Sequence, residues 1–153
     1  MRQESGRSMI EMVGVLAIMG MLTAGAFVLI SLGINRQKQA RVTDDVVTMV
    51  SGVRSLLGDY DDFSNIDNTT IFAAISVSNK NPYGGNYELA VDSANPRQFV
   101  VRITGLNKSD CEALVTKAWT DSVGYISSGH KESGASGNCV DGDANVVSVI
   151  YGE

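Results

Sequence analysis

The chain has 153 residues, the length of one ordinary domain, of which 44% are hydrophobic and 19% charged, with a formal net charge of −5. An acidic balance with no basic stripe argues against tracking a phosphate backbone, so no direct nucleic-acid site is expected. The average conceals an asymmetry: the apolar excess lies in the first quarter of the chain, and the remainder has the composition of a water-exposed domain.

From Met9 to Ile34 the chain runs through 26 residues with a single charge, Glu11. As a helix this segment would be about 39 Å long, more than the roughly 30 Å of a hydrocarbon core. Gly14, Gly20, Gly25 and Gly33 weaken it in water, but small residues are common in membrane helices, where they let helices approach closely. A cleaved secretory signal would have a shorter apolar core and a small-residue cleavage site behind it. Here the polar start MRQESGRS precedes a longer run, which continues directly into INRQKQARVTDDVV. The segment is therefore read as retained, and on these grounds a plain membrane anchor stays open.

Glu11 is the informative residue. A carboxylate near the start of a span costs about 2–3 kcal/mol if unpaired, and such residues mark functional sites. The competing reading is a glutamate at headgroup level, where the cost is small. A cut between Gly6 and Arg7 would supply a cationic partner: the new α-amino group of Arg7, with Glu11 as the fifth residue of the product.

Beyond Gly33 the pattern becomes amphipathic. Val42, Val46, Met49, Val50, Val53, Leu56 and Leu57 recur at spacings of three and four, which predicts one apolar stripe on a helix continuing to Leu57 and ended by Gly58-Asp59. Arg36, Lys38 and Arg41 follow the span directly. Charge counting would place this end in the cytoplasm.

An acidic loop, GDYDDFSNIDN, comes next. Asn68 is expected to cap a short helix over Thr69–Ser76. KNPYGGNY is a turn signal. Strands are expected at Tyr87–Val91 and Gln98–Thr104, the second with Phe99, Val101 and Ile103 on one side. Asn107 is expected to cap a helix over Lys108–Ser122 that carries Cys111, Leu114, Val115, Ala118 and Trp119 inward. A Gly/Ser-rich loop covers Ser127–Gly137, and a last strand Val146–Tyr151.

Cys111 and Cys139 are the two cysteines. In a small exported domain such a pair forms one disulfide; in a cytoplasmic protein it would be two reduced thiols. An enzyme is not expected. His130 is the single histidine and lies in a glycine-rich loop without a rigid frame, and nucleophile-elbow, P-loop and zinc spacings are missing from the sequence. No cofactor follows. Asp141, Asp143 and Asn145 alternate as calcium-binding oxygens do, without the later glycine and glutamate of an EF-hand loop, so a polar turn is the plainer reading.

Gly6, then Arg7-Ser8-Met9-Ile10-Glu11, then an uninterrupted apolar run, resembles the class III prepilin signal of the type IV pilin family. LAIMGMLTAG (Leu16–Gly25), NPYGG (Asn81–Gly85) and VRITGLNKSDCEALV (Val101–Val115) resemble the type IVb branch. The resemblance implies an α+β fold: a long N-terminal helix, apolar and exposed in its first half, packed in its second against an antiparallel sheet, with one further helix and a disulfide-bounded C-terminal region. It implies a leader at 1–6, a transmembrane and filament-core segment at 7–34, and the amphipathic half-helix with the globular head at 35–153. Gly6 and Arg7 would flank the cut of a prepilin peptidase, which also methylates the new N-terminus. Glu11 would pair with the N-terminus of a neighbouring subunit, and Cys111 would bond to Cys139. Arg7 departs from the apolar first residue usual there.

The implied role is a subunit of a helical homopolymer, held in lipid before assembly and moved by an assembly ATPase through a membrane platform protein. It places the leader in the cytoplasm and the domain outside, opposite to the charge count at residues 36–41. A minor pilin or secretion pseudopilin shares these features, and a monomeric membrane-anchored binding domain is the reading outside the family.

Overall fold

A computed structural model describes residues 9–58, 60, 62–127 and 138–152. The chain forms two compact units, Met1–Gln37 and Lys38–Glu153, and helix α1, Met9–Leu57, contributes to both.

In the first unit α1 is apolar on every side. Ile10, Leu16, Met21, Phe27 and Leu29 are all more than half exposed, and the helix is long and apolar enough to cross a membrane. Its few hydroxyls are bonded within the helix. Thr23 donates to the Met19 carbonyl at 2.7 Å and Ser31 to the Phe27 carbonyl at 3.0 Å, four residues back in each case. Such bonds make a polar side chain tolerable in hydrocarbon.

In the second unit α1 is one-sided. Val42, Val46, Met49, Val50, Val53 and Leu57 are buried, as the spacing predicts. Leu56 departs from that expectation and is 44% exposed. A step of four from Val53 reaches Leu57 on the stripe, and Leu56 falls at its edge.

Helix α2 spans Asn68–Ile75 and is capped by Asp67, not by Asn68. The Asp67 carboxylate accepts from the Thr70 amide at 3.0 Å and from the Thr70 hydroxyl. These bonds hold Asp67 below its ordinary carboxylate value, the hydroxyl contributing most. Ser76, in the left-handed region at φ 54°, ends the helix.

Four antiparallel strands follow: β1 Tyr87–Val91, β2 Gln98–Leu106, β3 Ser122–Ser127 and β4 Asn145–Gly152, in the order β1-β2-β4-β3. Register aligns Tyr87, Ile103 and Val147 in one row and Leu89, Val101 and Val149 in another. All six side chains are buried in the core with the α1 stripe, Ile71, Cys111 and Leu114. Phe99 stacks on Tyr151 at 5.7 Å and meets Phe63 edge-on at 4.9 Å.

Helix α3 covers Lys108–Val115, shorter than the helix expected over Lys108–Ser122. Asn107 caps it as predicted, accepting from the Asp110 amide at 2.8 Å. At the other end the Trp119 indole donates to the Leu114 carbonyl at 3.0 Å, satisfying an acceptor that a further turn would have used. Trp119 is thus buried, though from outside the helix. Asp121, at φ 59°, then redirects the chain into β3, a strand the sequence reading does not contain. Val123 and Tyr125 alternate there with small residues, the period that could have revealed it.

Candidate functional site

Of the residues expected to serve processing (Gly6, Arg7) and subunit assembly (Arg7, Glu11), Glu11 is the one described. Gly6 and Arg7 lie outside the described residues, as do His130, Lys131 and Glu132. Glu11 stands in the first turn of α1, where the positive end of the helix dipole favours a carboxylate. It is exposed, and it is the one charged residue from Met9 to Asn35. Gly14, Val15 and Ile18 follow at spacings of three, four and seven, so they share its face. A Cβ built on Gly14 would meet no atom within 4 Å. The chemistry available is that of a single carboxylate on an otherwise uncharged apolar stretch of helix, Met9–Asn35. It can accept hydrogen bonds from a cation and has no acid–base partner within that stretch.

The cysteines meet as expected. Cys111, fully buried on α3, is disulfide-bonded to Cys139, with Cα atoms 5.9 Å apart. Two polar ties secure the same segment. Lys108 reaches the Asp141 carboxylate at 3.1 Å, which raises the lysine above its ordinary value. Asn145 is fully buried, and its amide donates to the carbonyls of Leu106, Val140 and Gly142 at 3.1, 2.9 and 3.0 Å. Its oxygen accepts from the Val140 amide at 2.8 Å. Of the three alternating oxygens at 141, 143 and 145, the last is therefore committed to the turn and the first faces a lysine. Among the described residues no three His, Cys, Asp or Glu side chains converge on a metal position.

The NPYGG turn is a knot around Asn81. Its buried amide donates to the Thr104 and Asn86 carbonyls at 2.7 and 3.2 Å, and its oxygen accepts from the amides of Tyr83 and Gly85 at 2.9 and 3.1 Å. Gly85 has to be glycine: a Cβ would overlap the Thr104 carbonyl oxygen. Gly105, at φ 73°, lies against Gly85 backbone to backbone.

Beside this knot, Lys38 sits 5.7 Å from the centre of the Tyr83 ring, and the Tyr87 hydroxyl donates to Asp45 at 2.9 Å. Burial first, then Asp45, drives the Tyr87 phenol far above its ordinary range. Burial, with Asp110 adding to it, pushes Tyr83 up to about 12.

Sequence reasoning gave Asn68 the role of a cap and missed its bonds to the sheet. Its amide donates to the Leu89 carbonyl at 2.9 Å and accepts from the Leu89 amide at 2.7 Å. It therefore bonds the edge strand β1 as a neighbouring strand would. Nothing local in the sequence distinguishes this from a cap, because the partner is 21 residues away.

No family model matches the chain. It is 28% identical to the toxin coregulated pilin of Vibrio cholerae serotype O1 over 129 residues, 74% of this chain. It is 27% identical to the major structural subunit of the bundle-forming pilus of Escherichia coli O127:H6 across 99% of its own length, and 28% identical to that of Escherichia coli O111:H- across 81%. The matched span is 57% of the Vibrio protein's length and 86% and 70% of the two Escherichia proteins' lengths. The long first helix, the four-stranded antiparallel sheet, the further helices and the Cys111–Cys139 bond match the pilin fold.

Proposed function

From its homology to the type IVb pilins, we propose that this chain is the major structural subunit of a type IV pilus, a filament protein and not an enzyme. In this reading it is a single-pass protein of the bacterial inner membrane. A prepilin peptidase cuts it between Gly6 and Arg7, and an assembly ATPase acting through a platform protein moves it into an extracellular helical polymer. Adhesion, aggregation and transfer between cells are the roles such a polymer can serve.

The observation that carries the reading is Glu11, the one charge in the Met9–Asn35 stretch of a helix long and apolar enough to cross a membrane. In lipid, and again at the centre of a filament, a carboxylate needs a cation. A neighbouring copy cut before Arg7 offers its α-amino group only in one axial register, so the pair fixes how copies stack. A contact that joins two different patches without closing a ring generates an open helix of subunits. Moving the apolar helix from lipid to a bundle exchanges one apolar environment for another, so close packing decides the outcome.

The test is Glu11→Gln, which keeps shape and removes charge. An unpaired buried charge costs about 3–5 kcal/mol, so sheared filaments should fall at least tenfold while the subunit persists in the membrane. Filaments at the parental level would overturn the pairing. A parental chain that stays cell-associated and monomeric under electron microscopy would overturn polymerisation itself.

A further inference from the structure

The cations that follow the apolar stretch have no role in the filament reading. Between Glu11 and Asp44 the charged residues are Arg36, Lys38 and Arg41, all basic, in a chain whose net charge is −5. Lysines and arginines directly behind a span oppose its export, so on the side where the resemblance places the head they need a contact that offsets that bias. Carboxylates of the chain do not supply it. The ion pairs among the described residues are Arg54 with Asp121 and Lys108 with Asp141. Asp44 is exposed and in neither pair, and Asp45, one turn beyond Arg41, is bonded to the Tyr87 hydroxyl. Arg36 and Arg41 are exposed. Lys38 is half-buried with its ammonium over the Tyr83 ring, a contact that attracts the charge without neutralising it.

Helix α1 alone places the three cations. The uncharged run Met12–Asn35 is about 36 Å long as a helix, enough for a hydrocarbon core of roughly 30 Å, so Arg36 emerges in the headgroup layer. That layer is about 5–8 Å thick on each side, and the rise from Arg36 to Arg41 is about 7.5 Å. Lys38 and Arg41, three residues apart, share a face, and Arg36 stands on the opposite side of the helix. A protein partner takes one face of a helix, whereas a headgroup layer surrounds it. This distribution selects a lipid surface over a second copy of the chain.

We propose that Arg36, Lys38 and Arg41 form a basic collar that binds the phosphate headgroups of anionic lipid where α1 leaves the bilayer. The collar rests on the single-pass membrane reading and adds to it the class of lipid this chain gathers. The guanidinium forks of Arg36 and Arg41 match phosphate oxygens, and each basic residue held near an anionic surface raises binding about fivefold. The collar fixes how deep α1 sits before assembly, and extraction into a polymer has to break it.

The test uses the full chain inserted in phosphatidylcholine vesicles that carry a trace of spin-labelled phosphatidylglycerol or spin-labelled phosphatidylcholine. Electron paramagnetic resonance reads the fraction of label slowed against the protein. The parent should prefer phosphatidylglycerol at least threefold, and the preference should fall to about one in 1 M salt, where charges are screened. Arg36→Gln with Lys38→Gln and Arg41→Gln should abolish it, and Arg97→Gln with Lys117→Gln, which removes cations from the head instead, should leave it. Equal affinity of the parent for the two lipids, or a preference that survives the triple substitution, would overturn the collar. Cross-linking in the same vesicles reads the other occupant: dimers that form in the parent and not in the triple variant, with no lipid preference, assign the cations to a second copy. A chain that carbonate strips from the vesicles overturns the membrane reading itself, whereas an inserted chain without lipid preference overturns the collar alone.

Discussion

Tyr83 and Tyr87 are four residues apart in the chain, and their hydroxyls meet opposite fates. The Tyr83 oxygen is buried and finds no hydrogen-bond partner among the described residues, whereas the Tyr87 hydroxyl donates to the Asp45 carboxylate at 2.9 Å. A buried hydroxyl without a partner carries an uncompensated desolvation cost, and a bond to a charged acceptor contributes about 1.5–3 kcal/mol. The same substitution should therefore have opposite signs at the two positions. Tyr83→Phe is expected to raise the stability of the second unit by up to about 1 kcal/mol, and Tyr87→Phe to lower it by about 1–2 kcal/mol. Urea denaturation of the two variants in one buffer checks both. Neither sign was legible in the sequence. Tyr87 meets an acceptor 42 positions earlier, and only the folded packing of α1 brings Asp45 to it.

At the scale of elements, the disulfide and the ties at Lys108 and Asn145 join α3, the end of β2 and the segment entering β4. A cross-link that closes a loop between residues 28 positions apart stabilises by about 3–4 kcal/mol in the chain-entropy description. Replacing both cysteines by serine should therefore lower the denaturant midpoint of the head sharply, while Asn145 keeps β4 in register. Urea titration of the double variant, beside the parent under reducing and oxidising conditions, checks this. What sequence could see here divides along a physical line. The α1 stripe apart from Leu56, β1, most of β2 and the Asn107 cap rest on local period and capping chemistry, and they form as read. The end of α3 rests on Trp119 turning back to Leu114, a side-chain bond five residues long, and β3 rests on tertiary pairing with β4, and together they override a helical-looking run. Asp67 displaced Asn68 as a cap for a similar reason: the amide at 68 has a stronger claim on the sheet edge, and the carboxylate before it was free to cap. The candidate site shows the same division. Glu11 was visible as a lone charge in an apolar run, whereas the open face at Gly14 needed the helix geometry.

For the molecule as a whole, phenol ionisation sets an alkaline limit. Burial pushes Tyr83 and Tyr151 up to about 12, from an ordinary value of 10.0, and Tyr87 higher still. A raised folded value means that the native state holds its protons where the unfolded chain has released them. This contribution to stability is complete below pH 10 and is lost progressively as pH rises through 12. Denaturant midpoints should be flat across neutral and mildly basic pH and fall above 10, with the tyrosinate absorbance of these three residues appearing only as the structure is lost. Tyrosinate signal from all of them in a still-folded head would contradict it. The sheet order carries a consequence of a different kind. β4 comes last of the four strands in the chain yet lies between β2 and β3, and β3 has no partner until β4 arrives. A chain delivered N-terminus first cannot zip this sheet up as it emerges. It has to wait, open to proteases and chaperones, until residues 145–152 are through, and then close around them in one late step.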